Sequence, residues 1–342
     1  MSTTPARTMR PRPVRLAAAL AALVLVLGLA GCGGGDDGAD PTPSTSAGGT
    51  FPVTVEHKYG STEITKAPSR VVTLGLSDQD PVLALGVVPV GAIDWFLERP
   101  YGKWPWAQPL WGSTPPEIVG ERDDYNLEKI AALRPDLIIG LYSGMTQEQY
   151  QKLSQLAPTV AQPKGFADYA APWQEMTRQA GRALGKPEQA DKLIADVDAR
   201  FAKARQEHPG FAGKTVAVVD PYEAGKYAVF APSDPKVVFM TQLGFTVPDS
   251  IVQAAGKEYA AEIGSERLDL VDVDRLLFLT SDASAEPRVK ADKVYATLDV
   301  AKQNRAVFLP YENPPLGGAL SFSTVLSVPY ALDQILPLLG DG

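Results

Sequence analysis

The chain has 342 residues, a formal net charge of −8, 45% hydrophobic residues and one cysteine. An acidic balance argues against nucleic acid as a partner and against a polybasic hold on anionic lipid, since both need clustered Lys and Arg. A lone cysteine excludes an intrachain disulfide framework. The two histidines, His57 and His208, have no neighbour at ligand spacing. We therefore expect no histidine-based metal site, and we expect both rings at the solvated surface.

The N-terminal segment is first basic and then apolar. Four arginines precede an uncharged run over residues 16–29, which has the length of a signal-peptide apolar region and is too short to span a bilayer comfortably. The run ends in Leu29-Ala30-Gly31-Cys32. This stretch resembles the lipobox of bacterial lipoproteins, which implies cleavage before Cys32 and a diacylglycerol thioether on its sulfur. The alternative is a buried free thiol, which the flanking glycines disfavour.

Cleavage there leaves 311 residues and, because four arginines and no acid are lost, a net charge of −12. Residues 32–50 are mostly Gly, Asp, Pro, Ser and Thr, a composition that predicts a disordered tether. About 290 residues then remain, more than one typical core, so two lobes are expected. We place an N-terminal lobe at 51–168, a connecting helix region at 169–208 and a C-terminal lobe at 209–342.

The first lobe alternates strand and helix signals. Residues 70–74 and 88–92 form short apolar runs typical of strands, and between them residues 80–86 read as a helix with Pro at its start and Gly at its end. An aromatic loop follows, then a helix that contains Glu128, then a strand at residues 137–139. Alternation of this kind predicts a parallel sheet with crossover helices.

The middle of the chain carries only helical signals. Apolar residues keep helical spacing from Trp173 to Leu184, and after Gly185 a second helix restarts at Pro187 and continues to about His208. A helical stretch between two α/β lobes acts as a semi-rigid connection, unlike a Gly/Ser linker.

The second lobe resumes the alternation. We predict strands at 215–219, 276–280 and 306–309, a helix at 235–243 closed by Gly244, and one terminal helix at 321–339. No nucleophile elbow, phosphate loop or metalloprotease motif is present in the sequence. We therefore do not expect an enzyme.

Four stretches together resemble the substrate-binding lipoproteins of ABC importers, and they resemble the iron–siderophore class most closely. They are APSRVVTLGLSDQDPVLALGVVPVGA, NLEKIAALRPDLIIG, GSERLDLVDVD and SFSTVLSVPYALDQIL. The resemblance implies the class III periplasmic-binding-protein fold: two Rossmann-like α/β lobes joined by a long backbone helix, with the ligand cleft between the lobes. It also implies a monomer that is anchored outside the cytoplasm through lipidated Cys32 and delivers a ferric siderophore to a permease and its ATPase.

The resemblance also implies two docking acids. In this class each lobe exposes a glutamate that meets arginines of one permease subunit, and Glu128 in NLEKI and Glu266 in GSERL match those positions. Without a partner, an acid in the first turn of a helix is already favoured by the helix dipole, by about 0.3–1 kcal/mol. The position alone therefore does not decide between a role in docking and a role in helix stability.

The aromatic loop is the first candidate for contact with the ligand. Four of the five tryptophans, Trp95, Trp104, Trp106 and Trp111, lie in or near it. Indoles this dense either pack on their own lobe or line an apolar cleft. We expect two of them in the core and two at the ligand, with Trp104 and Trp106 favoured for the ligand and Trp95 kept as a candidate.

Cationic and phenolic residues near strand ends are the remaining candidates. Arg122 stands six residues before Glu128, a spacing at which related hydroxamate binders place an arginine on ligand oxygens; the alternative is a surface arginine paired with Glu121 or Asp123. The others are Tyr142, Tyr222, Arg288 and Tyr311.

On this reading iron arrives already chelated, so no cofactor and no protein ligand to the metal are expected. Haem stays possible, because Tyr can ligate its iron, and so does cobalamin. A lipid-anchored extracytoplasmic enzyme and a sensor that reports to a different membrane partner are the competing hypotheses.

Overall fold

The computed structural model of the protein describes residues 49–94, 104–113 and 115–340. Cys32 and Trp95 lie outside these ranges. None of the helices in the described ranges is both long enough and apolar enough to cross a bilayer.

A hairpin and a six-stranded sheet form the first lobe. The central strands are short and apolar, and all three residues of both Val71–Thr73 and Leu137–Ile139 are buried, as expected of parallel strands covered on both faces. The sheet order is β6-β5-β4-β3-β7-β8, parallel except at β5/β6. The strands are β1 Val53–His57, β2 Gly60–Ile64, β3 Val71–Thr73, β4 Gly91–Asp94, β5 Glu117–Glu121, β6 Asp124–Tyr125, β7 Leu137–Ile139 and β8 Thr159–Val160.

The helices of this lobe are short, and two of them have a side-chain cap at their first turn. Asn126 accepts from the N–H of Lys129, and Thr146 forms a reciprocal capping box with Gln149. The helices are α1 Gln79–Ala84, α2 Gln108–Trp111, α3 Leu127–Ala132 and α4 Gln147–Leu153.

Two helices, α5 Trp173–Ala183 and α6 Pro187–Glu207, follow the first lobe in the chain. Gly185 has a φ of 66°, which lets the chain turn between them, and Pro187 starts the second helix. The buried face of α6 carries Ile194, Val197 and Phe201. These residues belong to one apolar core that also includes Leu137 of the first sheet and Leu277 of the second. The two lobes therefore share part of their core.

A mixed five-stranded sheet forms the second lobe, in the order β11-β10-β9-β12-β13. The strands β9, β12 and β13 are parallel, whereas β10 runs antiparallel to both β9 and β11. The strands are β9 Val216–Glu223, β10 Lys226–Phe230, β11 Ala260–Gly264, β12 Arg275–Thr280 and β13 Ala306–Pro310. The helices are α7 Pro235–Gln242, α8 Asp249–Ala255, α9 Ala285–Ala291, α10 Asp299–Lys302, α11 Leu316–Phe322 and α12 Ser327–Leu339, with 3₁₀ turns at Pro209–Phe211, Ser265–Val271 and Tyr295–Thr297.

The structure corrects three expectations. The predicted terminal helix is two helices, because Ser323 adopts the left-handed region at φ 33° and ends α11. The strand expected at 88–92 begins at Gly91. Pro89 has no N–H with which to pair with the neighbouring strand, and the N–H of Val90, just before the strand, donates to the carbonyl of Val71. His57 is 1% exposed, not solvated, and its Nε2 lies 3.0 Å from the hydroxyl of Thr62.

Candidate ligand-binding cleft

A cavity of about 310 Å³ lies where the two lobes and α5 meet. Tyr142 lies in a loop of the first lobe, residues 169–172 form the segment before α5, and α5 contributes Trp173, Gln174 and Met176. The second lobe contributes the rest of the wall. The lining from the second lobe comes mainly from α7 and from the junction of α11 and α12: Ser233, Asp234, Pro235, Lys236, Val238, Phe239, Gln242, Tyr259, Ser321, Phe322, Ser323 and Val328. The volume is at the small end of the usual range for ligand pockets, about 300–1,000 Å³.

Asp78 fixes the position of Tyr142. Its carboxylate is fully buried and accepts from the N–H groups of Gly75 at 2.9 Å, Leu141 at 2.7 Å and Tyr142 at 3.0 Å. It thereby joins the loops that follow β3 and β7, at the carboxyl edge of the sheet. Burial raises the pKa of Asp78 to about 6, against the lowering effect of the three N–H donors.

Tyr169 connects this wall to Arg122. The rings of Tyr142 and Tyr169 meet edge-on, with centroids 5.7 Å apart. The guanidinium of Arg122 lies over the ring of Tyr169, 5.5 Å from its centroid, and the Tyr169 hydroxyl donates to Asp123. Arg122 itself is exposed and is not part of the cavity lining; it contacts the lining residue Tyr169 instead. Its loop position depends on a left-handed backbone with φ 49°.

A buried ion pair stands at the start of α7. Asp234 caps this helix because its Oδ1 accepts from the N–H of Lys236 at 2.9 Å. Its Oδ2 accepts from the Lys236 ammonium at 3.0 Å, and the ammonium lies 2.9 Å from Oδ1. The ammonium lies 3.9 Å from the ring centroid of Phe230. Both side chains of the pair are about 90% buried and face the cavity. The sequence pattern did not single out this pair, although Asp-Pro-Lys four residues after the end of β10 is a helix-start signal.

The remaining predicted phenols and Arg288 are more scattered. The hydroxyl of Tyr311 bonds to Ser321 at 2.6 Å, so Tyr311 also stands one contact behind the lining, and burial raises its pKa to about 12. Tyr222 is 41% exposed and is not part of the lining. Arg288 borders a second cavity of about 300 Å³ and bonds to Asp282. Of the four, the structure places Tyr142 alone in the wall of the first cavity.

The described tryptophans of the aromatic loop pack between the lobes. The rings of Trp104 and Trp106 stack 5.1 Å apart with an interplanar angle of 9°. Trp104 contacts Phe322 of α11 at 6.2 Å between centroids, and Trp106 contacts Tyr330 of α12 at 5.3 Å. Trp111 is buried in the same cluster. Neither stacked indole is part of the cavity lining, and their contact with a ligand stays a prediction.

Asp80 of α1 connects the two lobes directly. Its buried carboxylate accepts from the indole N–H of Trp106 at 2.9 Å and from the hydroxyl of Thr324, in the second lobe, at 2.5 Å. Burial raises the pKa of Asp80 to about 6, against the lowering effect of both donors. The partners of the hydrogen bond between Thr324 and Asp80 are 244 residues apart in the sequence, so no local sequence pattern predicts it.

Both predicted docking acids are exposed at the start of a helical segment. Glu128 lies in the first turn of α3. Glu266 lies in the first turn of the 3₁₀ segment Ser265–Val271, and its carboxylate folds back over Gly264, where even a methyl side chain would collide with it. Their docking role stays a prediction.

Sequence reasoning also missed Tyr259 at the rim of the cavity. Its ring borders the cavity and is 68% exposed, which is unusual for an aromatic side chain. Within the described ranges, no three His, Cys, Asp or Glu side chains come together as a metal-binding group.

Two α/β lobes that share a core and enclose a cavity lined by loops and helices of both lobes define a bilobal solute-binding protein. The chain belongs to the periplasmic binding protein family, whose profile matches residues 71–312. This membership and the observed sheets confirm the predicted fold class.

Curated relatives and solved structures are similar along most of the chain. The probable siderophore-binding lipoprotein YfiY of Bacillus subtilis is 28% identical over 289 residues, covering 82% of this chain and 79% of YfiY. A periplasmic solute-binding protein of Mycobacterium smegmatis superposes with a TM-score of 0.75 at 35% identity, covering 84% of this chain and 97% of that one. Streptococcus pneumoniae PiaA, solved in complex with ferrichrome, superposes with a TM-score of 0.70 at 26% identity, covering 84% and 98%.

Proposed function

We propose that this protein is a lipid-anchored extracytoplasmic binding protein that captures a ferric siderophore and delivers it to an ABC importer. The observation that carries the proposal is the cavity between the lobes, which combines phenols, hydroxyls and aromatic faces. The names of similar proteins support it, because YfiY is described as siderophore-binding and PiaA was solved with ferrichrome.

The chemistry of the lining suits a chelate that already holds its metal. Ferric siderophores present chelating oxygens and amide groups on an apolar scaffold. Tyr142 and Tyr259 offer phenolic donors for such oxygens, while Trp173 and Phe239 offer apolar faces. The protein then supplies orientation and shape, and iron coordination stays with the siderophore.

Delivery depends on Glu128 and Glu266. An exposed carboxylate contributes little to folding, but it steers a partner with the opposite charge and fixes its orientation. One such acid on each lobe suits a permease built from two subunits. We place the ATPase on the cytoplasmic side of that permease, and we expect the binding protein to act as a monomer.

Anchoring depends on Cys32. The lipobox-like stretch before it and the description of YfiY as a lipoprotein support this part of the proposal. A Cys32→Ala variant should leave the membrane fraction and appear in the soluble extracytoplasmic fraction. Retention of that variant in the membrane would remove the anchor from the proposal.

Isothermal titration of the purified protein tests the ligand. The panel contains ferric complexes of hydroxamate, catecholate and carboxylate siderophores, together with haem and cobalamin. We expect saturable binding of at least one ferric siderophore. Saturation by haem or cobalamin, with no ferric siderophore bound, would overturn the substrate while leaving transport in place. Conversion of any panel member to a product would indicate an enzyme.

A further inference from the structure

The described lining of the cavity contains one acid and one cation, and these two groups neutralise each other. They are Asp234 and Lys236, whose charged atoms approach to 2.9 Å. The other polar side chains of the described lining are uncharged phenols, hydroxyls and amides, such as Tyr142, Tyr259 and Gln174. Among the described residues, the wall therefore has no excess positive charge with which to hold an anion.

Lys236 has little capacity left for a ligand. An ammonium has three N–H donors. Contacts to both oxygens of Asp234 and to the face of Phe230 already occupy most of its surface. Burial of both side chains keeps water from screening or replacing these contacts.

A second carboxyl lies near the pair. Burial raises the pKa of Asp220, while its electrostatic interaction with Lys236 acts in the opposite direction. Its buried Oδ1 has no hydrogen-bond partner within the described part of the chain. On the other wall, the described cation Arg122 lies behind Tyr169, and its Nε is 4.0 Å from the carboxylate of Asp123. On both sides of the cavity a carboxylate therefore accompanies the cation.

Resting on the function proposed above, we infer that the ligand is a ferric chelate of zero or positive net charge, and that Asp234 is the specificity-determining residue. Three monoanionic hydroxamates neutralise Fe³⁺, whereas three dianionic catecholates leave a triply negative complex. By holding Lys236 in an ion pair, Asp234 removes the one cation of the described lining that an anionic chelate would use. Specificity then depends on repulsion of the wrong charge as well as on attraction of the right ligand.

An Asp234→Asn substitution tests this inference. Asparagine caps helices as well as aspartate does, so α7 should keep its hydrogen bond to the N–H of Lys236. The ammonium loses its counter-charge and becomes available to an anion. We expect affinity for a ferric tris-catecholate to rise by about tenfold or more, while affinity for a neutral ferric trihydroxamate changes by less than about threefold.

Two further variants complete the design. Asp198→Asn removes the same charge from the exposed face of α6, outside the cavity lining, and should change neither affinity. Lys236→Met removes the cation and leaves Asp234 unpaired, so it should weaken tris-catecholate binding further and strengthen binding of a cationic linear trihydroxamate. This opposite response keeps the inference testable if Asp234→Asn does not fold.

Calorimetry gives outcomes that separate the two proposals. Two outcomes would overturn the charge inference and leave siderophore binding standing. One is that the wild type binds the ferric tris-catecholate as tightly as the neutral trihydroxamate. The other is that the ratio of these two affinities is unchanged in Asp234→Asn and in Lys236→Met. Absence of binding to every ferric complex by the wild-type protein would instead overturn the proposed function.

Discussion

The hydrogen bond from Thr324 to Asp80 should contribute measurably to stability, and Thr324→Val removes it with almost no change of side-chain volume. A hydrogen bond to a charged group contributes about 1.5–3 kcal/mol to the free energy of unfolding. The same oxygen accepts from the N–H groups of Leu326 and Ser327 just before and at the start of α12, a cap that contributes about 1 kcal/mol. At pH 8 we therefore expect Thr324→Val to lose about 2.5–4 kcal/mol.

The loss should depend on pH in a defined direction. Folding raises the pKa of Asp80 from 3.8 to about 6, so the stability that this group contributes is fully present below pH 3.8 and is lost as pH rises through about 6. Removing a donor to the carboxylate raises that pKa further. At pH 5 the folded carboxyl is mostly protonated, so the missing bond is mainly a neutral one, worth about 0.5–1.5 kcal/mol. The valine variant should therefore lose less stability at pH 5 than at pH 8.

Urea unfolding at both pH values measures these differences, with Thr324→Ser as the matched control. Serine keeps the hydroxyl and loses one buried methyl group, which costs about 1 kcal/mol at either pH. Asp78 titrates in the same range, but it is common to all variants and cancels in the comparison. Equal losses for valine and serine, or a valine loss that does not change between pH 5 and pH 8, would refute this account of the contact between the lobes.

Three further predictions concern the same contact and the docking acids. Asp80→Asn removes the titrating carboxyl, so the melting temperature should vary less between pH 5 and pH 7 than in the wild type; an unchanged variation would place the titration elsewhere. Trp106→Phe removes the N–H bond to Asp80 and should cost about 2 kcal/mol of stability; the predicted contact of this indole with the ligand should also lower ligand affinity, and an unchanged affinity would limit Trp106 to the contact between the lobes. Glu128→Ala combined with Glu266→Ala should leave affinity unchanged and stop uptake by cells; normal uptake would remove the docking role.

Parts of the molecule followed directly from sequence periodicity. The apolar run Leu137–Ile139 was enough to place a buried strand, and hence to place Tyr142 at the carboxyl edge of the sheet. The burial of His57 could have been predicted in the same way. In β1 the buried positions alternate with exposed ones, and His57 shares its face with Val55.

Tertiary contacts set the remaining parts, and a local pattern cannot show them. A dense group of indoles predicts burial, but a ligand cavity and a contact between the lobes bury apolar surface equally well. The spacing of Trp104 and Trp106 could therefore not show which of the two sites they occupy. Lys236 lines the cavity together with residues of α5, and the whole fold brings these two helices to the same cavity. The break at Ser323 depends on a left-handed backbone that the sequence SFST does not require.

The most direct test of the central claim is to block the cavity between the lobes and measure ferric siderophore binding. Ser233 borders the cavity and is exposed, so Ser233→Trp should fill space there without disturbing the core. Ser250→Trp, on the exposed start of α8, is the matched control. We predict that the wild type and Ser250→Trp bind alike in equilibrium dialysis with iron-labelled siderophore, while Ser233→Trp loses at least about tenfold in affinity. Undiminished binding by a folded Ser233→Trp variant would show that the siderophore binds elsewhere.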